Sequence, residues 1–226
     1  MNLLLARLSA AGFERLRGEL EPVALAPGAV VYEPGVAEEN LYFISGGVVS
    51  LVEVTASGAA TEIAQVGSEG VLGIDLFMGG KTAPWRMVAR SPGEAFRLNA
   101  DALAWQFARN VELRGLLLRF TQALMAQIAQ TAVCNRHHSI EQQLCRWLLA
   151  VLDRLGLREL VITQQEVAAA LGVRREGISA AAARLQKDGV IRYSRGRIRM
   201  LERAGIELRA CECYAEVRRH YERLLL

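Results

Sequence analysis

Between Thr163 and Arg199 the chain reads TQQEVAAALGVRREGISAAAARLQKDGVIRYSRGRIR, in which a helix start, a tight turn and a basic hairpin follow one another in register. Thr163 and Glu166, three residues apart, form a capping box in which each side chain meets an orphan backbone N–H, so a helix begins there. Val167, Ala168 and Leu171 give that helix an apolar face, the small residues 168–170 admit a close crossing, and Gly172 lets the chain turn. The spacing predicts a second helix over about 174–188, with Ile178, Ala182 and Leu185 on one face and Gly189 as a left-handed cap. Residues 190–193 and 197–200 then alternate around Ser194-Arg195-Gly196, a strand–turn–strand pattern with arginines on the exposed side.

Two such helices followed by a basic hairpin make a winged helix-turn-helix. Arg175, Glu176, Ser179 and Ala180 point outward from the first turns of the second helix, where a recognition helix meets base edges in the major groove. Arginine suits the guanine O6/N7 pair, and glutamate can accept from cytosine N4. Arg174, Arg192, Arg195 and Arg197 are candidates for the DNA backbone on charge and exposure. The plainer alternative is a helical hairpin with a solvated charged face, as most charge runs are. The coincidence of capping box, small residues, turn glycine and basic hairpin favours the first reading.

Charge is divided to match. Residues 1–135 carry 10 Lys+Arg against 13 Asp+Glu, a net of −3, whereas residues 136–226 carry 17 against 11, a net of +6. A polyanion partner therefore suits the C-terminal part alone. The opening MNLLLARLSAAGFERLRGEL has leucines at helical spacing, but arginines interrupt it, leaving no sustained apolar run for a signal or a membrane span. A soluble, cytoplasmic protein without membrane contact is expected.

From about 23 to 98 the character changes to short β-rich runs, including VALAPGAVVYEPG, NLYFISGGVVSLVEV, TEIAQVG and WRMVAR, separated by Gly, Pro or Ser clusters. This spacing predicts an antiparallel β-roll or barrel. A metalloenzyme of the cupin type would need histidines inside it, yet no histidine or cysteine precedes Cys134. The chain also lacks a nucleophile–base pair and a phosphate-cradling glycine loop before a helix, so no catalytic residue is nominated.

Residues 102–135 turn helical, and Leu113, Leu117, Phe120, Leu124, Ile128 and Thr131 fall at alternating three- and four-residue steps. That stripe predicts a seam for a second copy of the same helix; packing on its own β-roll is the alternative. Asn135-Arg136-His137-His138 breaks the pattern, and Ser139 with Gln142 caps a further helix carrying Leu144, Trp147, Leu148 and Val151. His137 and His138 read as hinge polars with no cysteine cluster beside them. A terminal amphipathic helix is expected over 206–226, and Cys211-Glu212-Cys213 is too short a motif for zinc without further ligands, His220 being the one candidate nearby. A structural or incidental role is assigned to these thiols, with redox sensing as the alternative, and no metal is expected.

The order of these parts resembles the Crp/Fnr superfamily of bacterial transcription regulators over nearly the whole chain. Arg175-Glu176 matches the Arg-Glu pair opening the family's recognition helix, and Ser179 matches the serine of the Fnr branch. The next family position is typically arginine and here is Ala180, which implies a half-site departing from the usual consensus. Thr163 and Gln165 match first-helix positions that contact backbone phosphates. LYFISGGVVSLVE resembles the family's strand–Gly-Gly–strand signature and implies a cyclic-nucleotide-binding-like roll. The family's ribose-binding Gly-Glu and phosphate-binding Arg-Ser pairs are not intact in GVLGIDLFMGGKTAPWRM. Gly73 is followed by Ile74, Asp75 comes one place late, and Pro84, with Trp85 and Arg86 after it, stands near where Arg-Ser would be and offers no N–H. These six residues mark an effector pocket for which neither a cyclic nucleotide nor another cofactor is expected. The Fnr branch's iron–sulfur cluster is not expected either, because its N-terminal cysteines are absent.

The resulting expectation is an α+β protein: an antiparallel β-roll over 1–110, a dimerisation helix over 111–135 and a winged helix-turn-helix with a C-terminal helix over 136–226. It would be a homodimeric, sequence-specific double-stranded-DNA-binding transcription regulator, under an effector other than a cyclic nucleotide or under none, with RNA polymerase as a further partner. The alternative is a small-molecule sensor whose winged domain contacts another protein.

Overall fold

The computed structural model describes residues 1–225. The chain divides into two compact units, one formed by Met1–Leu51, Ala64–Ala126 and the residues from His220 on, the other by Val52–Ile63 and Gln127–Arg219.

In the first unit a short 3-10 turn (Leu5–Arg7) and α1 (Ala10–Arg17) lead into β1 (Glu21–Leu25), β2 (Val30–Tyr32), β3 (Asn40–Gly46) and β4 (Val49–Val54), the last of which ends in the second unit. β5 (Ala60–Val66), which starts in the second unit and enters the first at Ala64, β6 (Val71–Leu72), α2 (Asp75–Met78), β7 (Arg86–Ala89), β8 (Gly93–Asn99) and α3 (Ala100–Arg109) follow. Two four-stranded sheets, ordered β1-β8-β3-β6 and β2-β7-β4-β5, make the expected antiparallel roll. Burial of alternate residues on β7, where Met87 and Ala89 are buried and Arg86 and Val88 are not, is the signature of a strand with one face on a core. Leu41, Phe43, Ile44, Leu72, Met87 and Leu98 fill that core. The arginine-interrupted N-terminus belongs to it too: Leu4, Leu5 and Leu16 are buried, and the Asn2 side-chain amide donates to the carbonyls of Ile44 and Gly70 at 2.8 Å.

α4 (Val111–His137) runs 27 residues, about 40 Å, two residues past the end expected at 135. Its N-terminal part seals the roll, with Phe120 so close to the backbone that a Cβ on Gly70 would stand 2.3 Å from its ring. The second unit continues with α5 (Ile140–Leu155), β9 (Glu159–Val161), α6 (Gln164–Leu171), α7 (Arg175–Lys187), β10 (Ile191–Ser194) and β11 (Arg197–Met200). Both capping boxes form, Ser139 with Gln142 on α5 and Thr163 with Glu166 on α6. Gly172 takes the left-handed conformation, φ 66°, that the turn into α7 requires. The core of this unit joins Leu144, Trp147, Leu148 and Val151 of α5 to Val167 and Leu171 of α6 and to Ile178, Ala182 and Leu185 of α7.

The hairpin turns through Arg195 (φ 49°) and Gly196 (φ 70°), two successive positive-φ residues whose twist matches that of the flanking strands. β9 pairs antiparallel with β11 and makes the wing three-stranded, which the sequence pattern does not suggest. The helix expected over 206–226, whose last residue lies outside the described ones, is two helices, α8 (Arg203–Arg209) and α9 (Cys213–Leu225). Asp153 clamps α8 from α5: Arg203 reaches its carboxylate at 2.6 Å and the Tyr214 hydroxyl also donates to it.

Candidate nucleic-acid interface and effector pocket

α6 and α7 position the proposed DNA-facing residues because their opposite faces are fully committed to the core. With Ile178, Ala181, Ala182 and Leu185 buried, helical geometry turns Arg175, Glu176 and Ala180 outward, and all three are exposed. Ser179 is half-buried and its hydroxyl donates to Gln164 Oε1, tying the first turns of the two helices together. Arg174 caps α7 without a side-chain bond and is exposed, as are Thr163 and Gln165 on α6. The Thr163 hydroxyl accepts from the Glu166 N–H at 3.2 Å, so its role in the structure is that of a cap.

The wing arginines differ. Arg192 and Arg195 are exposed and enter no ion pair among the described residues, whereas Arg197 and Arg199 both reach Glu159, at 3.2 and 3.5 Å. Glu159 sits on the strand missed in the sequence, so charge counting alone could not show that it offsets part of the basic edge. Gly177 allows α7 to approach α5: a Cβ there would lie 2.6 Å from Ile140 Cδ1.

The predicted dimer seam needs correction. Leu113, Leu117, Phe120 and Leu124 are 0–1% exposed in a single chain, and Ile128 is half-buried. Leu113, Leu117, Phe120 and Leu124 are used up in the chain's own core, so the intramolecular alternative holds for these four. A second stripe remains on the same helix. Val111, Leu118 and Met125 are 67%, 49% and 61% exposed at seven-residue steps, with half-buried Gly115 and exposed Gln122, Ala129 and Ala132 completing a three-four spacing.

In the roll, Gly73 has φ 90° and Ile74 and Asp75 open α2. The segment before β3 lies beside Pro84: Glu38 N donates to Lys81 O at 3.0 Å, and Gly35 N to Ala83 O at 2.9 Å. This brings in Glu38, which sequence reasoning missed. Its side chain is buried and both carboxylate oxygens lack a hydrogen-bond partner. Burial, with a contribution from the charge of Asp75, pushes its pKa up to about 7, and burial raises that of Asp75 as well. Trp85 Nε1 is likewise buried without a partner. Arg86 lies on the face of β7 opposite Met87 and Ala89 and pairs with Glu33 at 2.9 Å. Two carboxyls, a proline without an N–H and an arginine already paired do not fit a cyclic phosphate. A cavity of about 600 Å³ elsewhere in this unit, lined by residues such as Arg15, Asp101 and Trp105, contains none of the six predicted pocket residues.

The cysteines also require correction. His138 is not an isolated hinge polar, and the partner of Cys211 and Cys213 is not His220: Cys134 and His138 join them in one cluster. Cys134, Cys211 and Cys213 are all buried. A hydrogen bond with Cys211 draws the Cys134 thiol below its ordinary pKa, and the same contact with burial pushes Cys211 up. Side chains 77 residues apart leave no local spacing to find.

A two-sheet roll, a long helix and a winged helix-turn-helix with its outward face undisturbed define a class of transcription regulators in which a sensor-like roll accompanies a DNA-binding domain. Two family models match in succession, the cyclic nucleotide-binding domain over residues 22–110 and the Crp-like helix-turn-helix domain over residues 142–209. The chain belongs to the Crp/Fnr superfamily of transcriptional regulators. Among solved structures it resembles a Crp/Fnr-family regulator from Eubacterium rectale, at 16% identity over 91% of this chain and 96% of that one, with TM-score 0.73. It also resembles a CRP-family regulator from Thermus thermophilus (21% identity, 83% and 96% covered, TM-score 0.72) and FixK2 from Bradyrhizobium japonicum (14%, 85% and 98%, 0.73). No curated protein sequence matches it. No described helix is long and apolar enough to cross a membrane.

Proposed function

We propose that this Crp/Fnr-type regulator acts as a homodimer that reads a specific double-stranded DNA sequence through α7. The observation carrying this reading is the first turns of α7, where Arg175, Glu176 and Ala180 are exposed and Arg175 and Glu176 enter no ion pair among the described residues. Arg175 donates to guanine and Glu176 accepts from cytosine, while Ala180 offers a methyl group suited to the thymine methyl. Ser179, held by Gln164, reads from the edge of this face. Gln165, Thr163, Arg174, Arg192 and Arg195 contact phosphates and set register; Arg197 contributes less, because Glu159 shares it.

Two copies pair through the exposed stripe of α4, Val111, Gly115, Leu118, Gln122, Met125, Ala129 and Ala132, with Gly115 permitting close approach. The paired recognition helices then address half-sites about one helical turn, ~34 Å, apart. The acidic surroundings of Glu38 and Asp75 support control by a ligand other than a cyclic nucleotide, or by none.

Selection of bound duplexes from a random pool, with and without cyclic nucleotides, tests this reading. A two-fold-symmetric consensus, unchanged by cyclic nucleotide and bound with a steep salt dependence, is expected. Recovery of no consensus would contradict it.

A further inference from the structure

Cys134, His138, Cys211 and Cys213 lie within one compact unit, and their potential ligand atoms are all within 4.8 Å of one another. We propose that these four side chains form a binding site for a single thiophilic divalent cation of the zinc type.

The spacing of the four ligand atoms is close to that of a tetrahedral site. Zinc bonds of about 2.3 Å to sulfur and about 2.0 Å to nitrogen imply tetrahedral edges of roughly 3.8 Å between sulfurs and roughly 3.5 Å between sulfur and nitrogen. Cys134 Sγ stands 3.5 Å from Cys211 Sγ, and Cys213 Sγ stands 3.5 Å from His138 Nδ1. A span of at most 4.8 Å closes onto one ion with shifts of about 1 Å, and is too small to enclose a multi-iron cluster.

The surroundings orient the ligands. Cys134 and His138 are four residues apart, and the His138 N–H still bonds to Cys134 O at 3.1 Å, so both side chains share one face at the end of α4. His138 Nε2 is 3.2 Å from Glu212 Oε1, which accepts a hydrogen bond from the proton held on that nitrogen and leaves the Nδ1 lone pair facing the thiols. Such a carboxylate–imidazole relay fixes the tautomer that a metal requires. Gln130 Nε2 donates to Cys213 Sγ at 3.1 Å, a contact suited to a thiolate, and the positive charge of Arg146 acts on Cys134. Loading the ion releases the three thiol protons to solvent and leaves three thiolates and a neutral imidazole around it, a site of net charge −1 that Arg146 offsets. The ion would fasten the start of α9 to the end of α4, which the sequence separates by more than seventy residues.

Metal analysis of the full-length protein, purified under reducing conditions without chelator, tests this, followed by removal of the metal and titration with Zn²⁺ and Co²⁺. One ion per chain is expected, and Co²⁺ should produce thiolate charge-transfer absorption with the visible bands of a tetrahedral site. Cys213→Ser and His138→Ala should each weaken zinc affinity at least tenfold while circular dichroism shows them folded. Cys145→Ser, which alters a buried cysteine outside the cluster, should leave affinity unchanged. The proposal is overturned if reduced protein binds no stoichiometric zinc, if Co²⁺ shows no thiolate absorption, if Cys145→Ser weakens binding as much as Cys213→Ser, or if peptide mapping finds a Cys134–Cys211 disulfide in the reduced preparation.

Discussion

Replacing Glu38 by glutamine should stabilise the protein in mild alkali and change little in mild acid. The carboxyl ordinarily titrates near 4.5, and burial, assisted by Asp75, pushes it up to about 7 in the folded chain. Below the lower value both folded and unfolded forms are neutral. Between the two, the unfolded chain releases its proton and the folded chain keeps it, so stability falls as pH rises; above 7 the folded carboxyl ionises too and the loss is complete. The interval between the two values corresponds to roughly 3 kcal/mol. Neither oxygen of Glu38 has a hydrogen-bond partner to lose, so the amide forfeits no bond, although it remains a buried polar group. Glu38→Gln should therefore gain about 1–3 kcal/mol over the parent near pH 8 and less than about 0.5 near pH 4.5. Urea unfolding of both proteins across that range reads the difference directly. A difference that does not grow with pH, or a variant less stable near pH 8, would refute the assignment of a buried, destabilised acid at this place.

Three further outcomes follow from the same structure. Leu118→Glu with Met125→Glu, on the exposed stripe of α4, should leave the protein monomeric in sedimentation, where the parent is expected to be dimeric, and abolish tight DNA binding; a variant that still dimerises would move the interface elsewhere. Phe120→Ala should cost about 3–5 kcal/mol by emptying the core beneath Gly70, an effect to be measured in unfolding rather than in oligomeric state, because that ring faces its own roll. Ser139→Ala should lower stability by about 0.5–2 kcal/mol through loss of the α5 capping box and leave the selected DNA consensus intact.

What could be read in the sequence was local. Thr163 with Glu166 and Ser139 with Gln142 announce helix starts within four residues, Gly172 and Gly189 sit at left-handed positions after α6 and α7, and Arg195-Gly196 closes the wing. What escaped was long-range. α4 carries two stripes with nearly the same period, and only the position of the roll decides that Leu113, Leu117, Phe120 and Leu124 face inward while Leu118 and Met125 face out. Glu159-Leu160-Val161 is too short to declare itself a strand, yet it brings the carboxylate that engages Arg197 and Arg199. His138 meets Cys213 and Glu38 meets Asp75 only once the chain has folded, and no spacing encodes either encounter.

The central claim, that the opening turns of α7 read bases, is tested most directly by measuring the affinity of Arg175→Ala for the selected duplex and for a random duplex over a range of salt. A loss of about 1–3 kcal/mol on the selected duplex, with relaxed preference at one base pair and little change on the random one, is the expected result. Equal losses on both duplexes, accompanied by a shallower salt slope, would place Arg175 on phosphate and contradict the account.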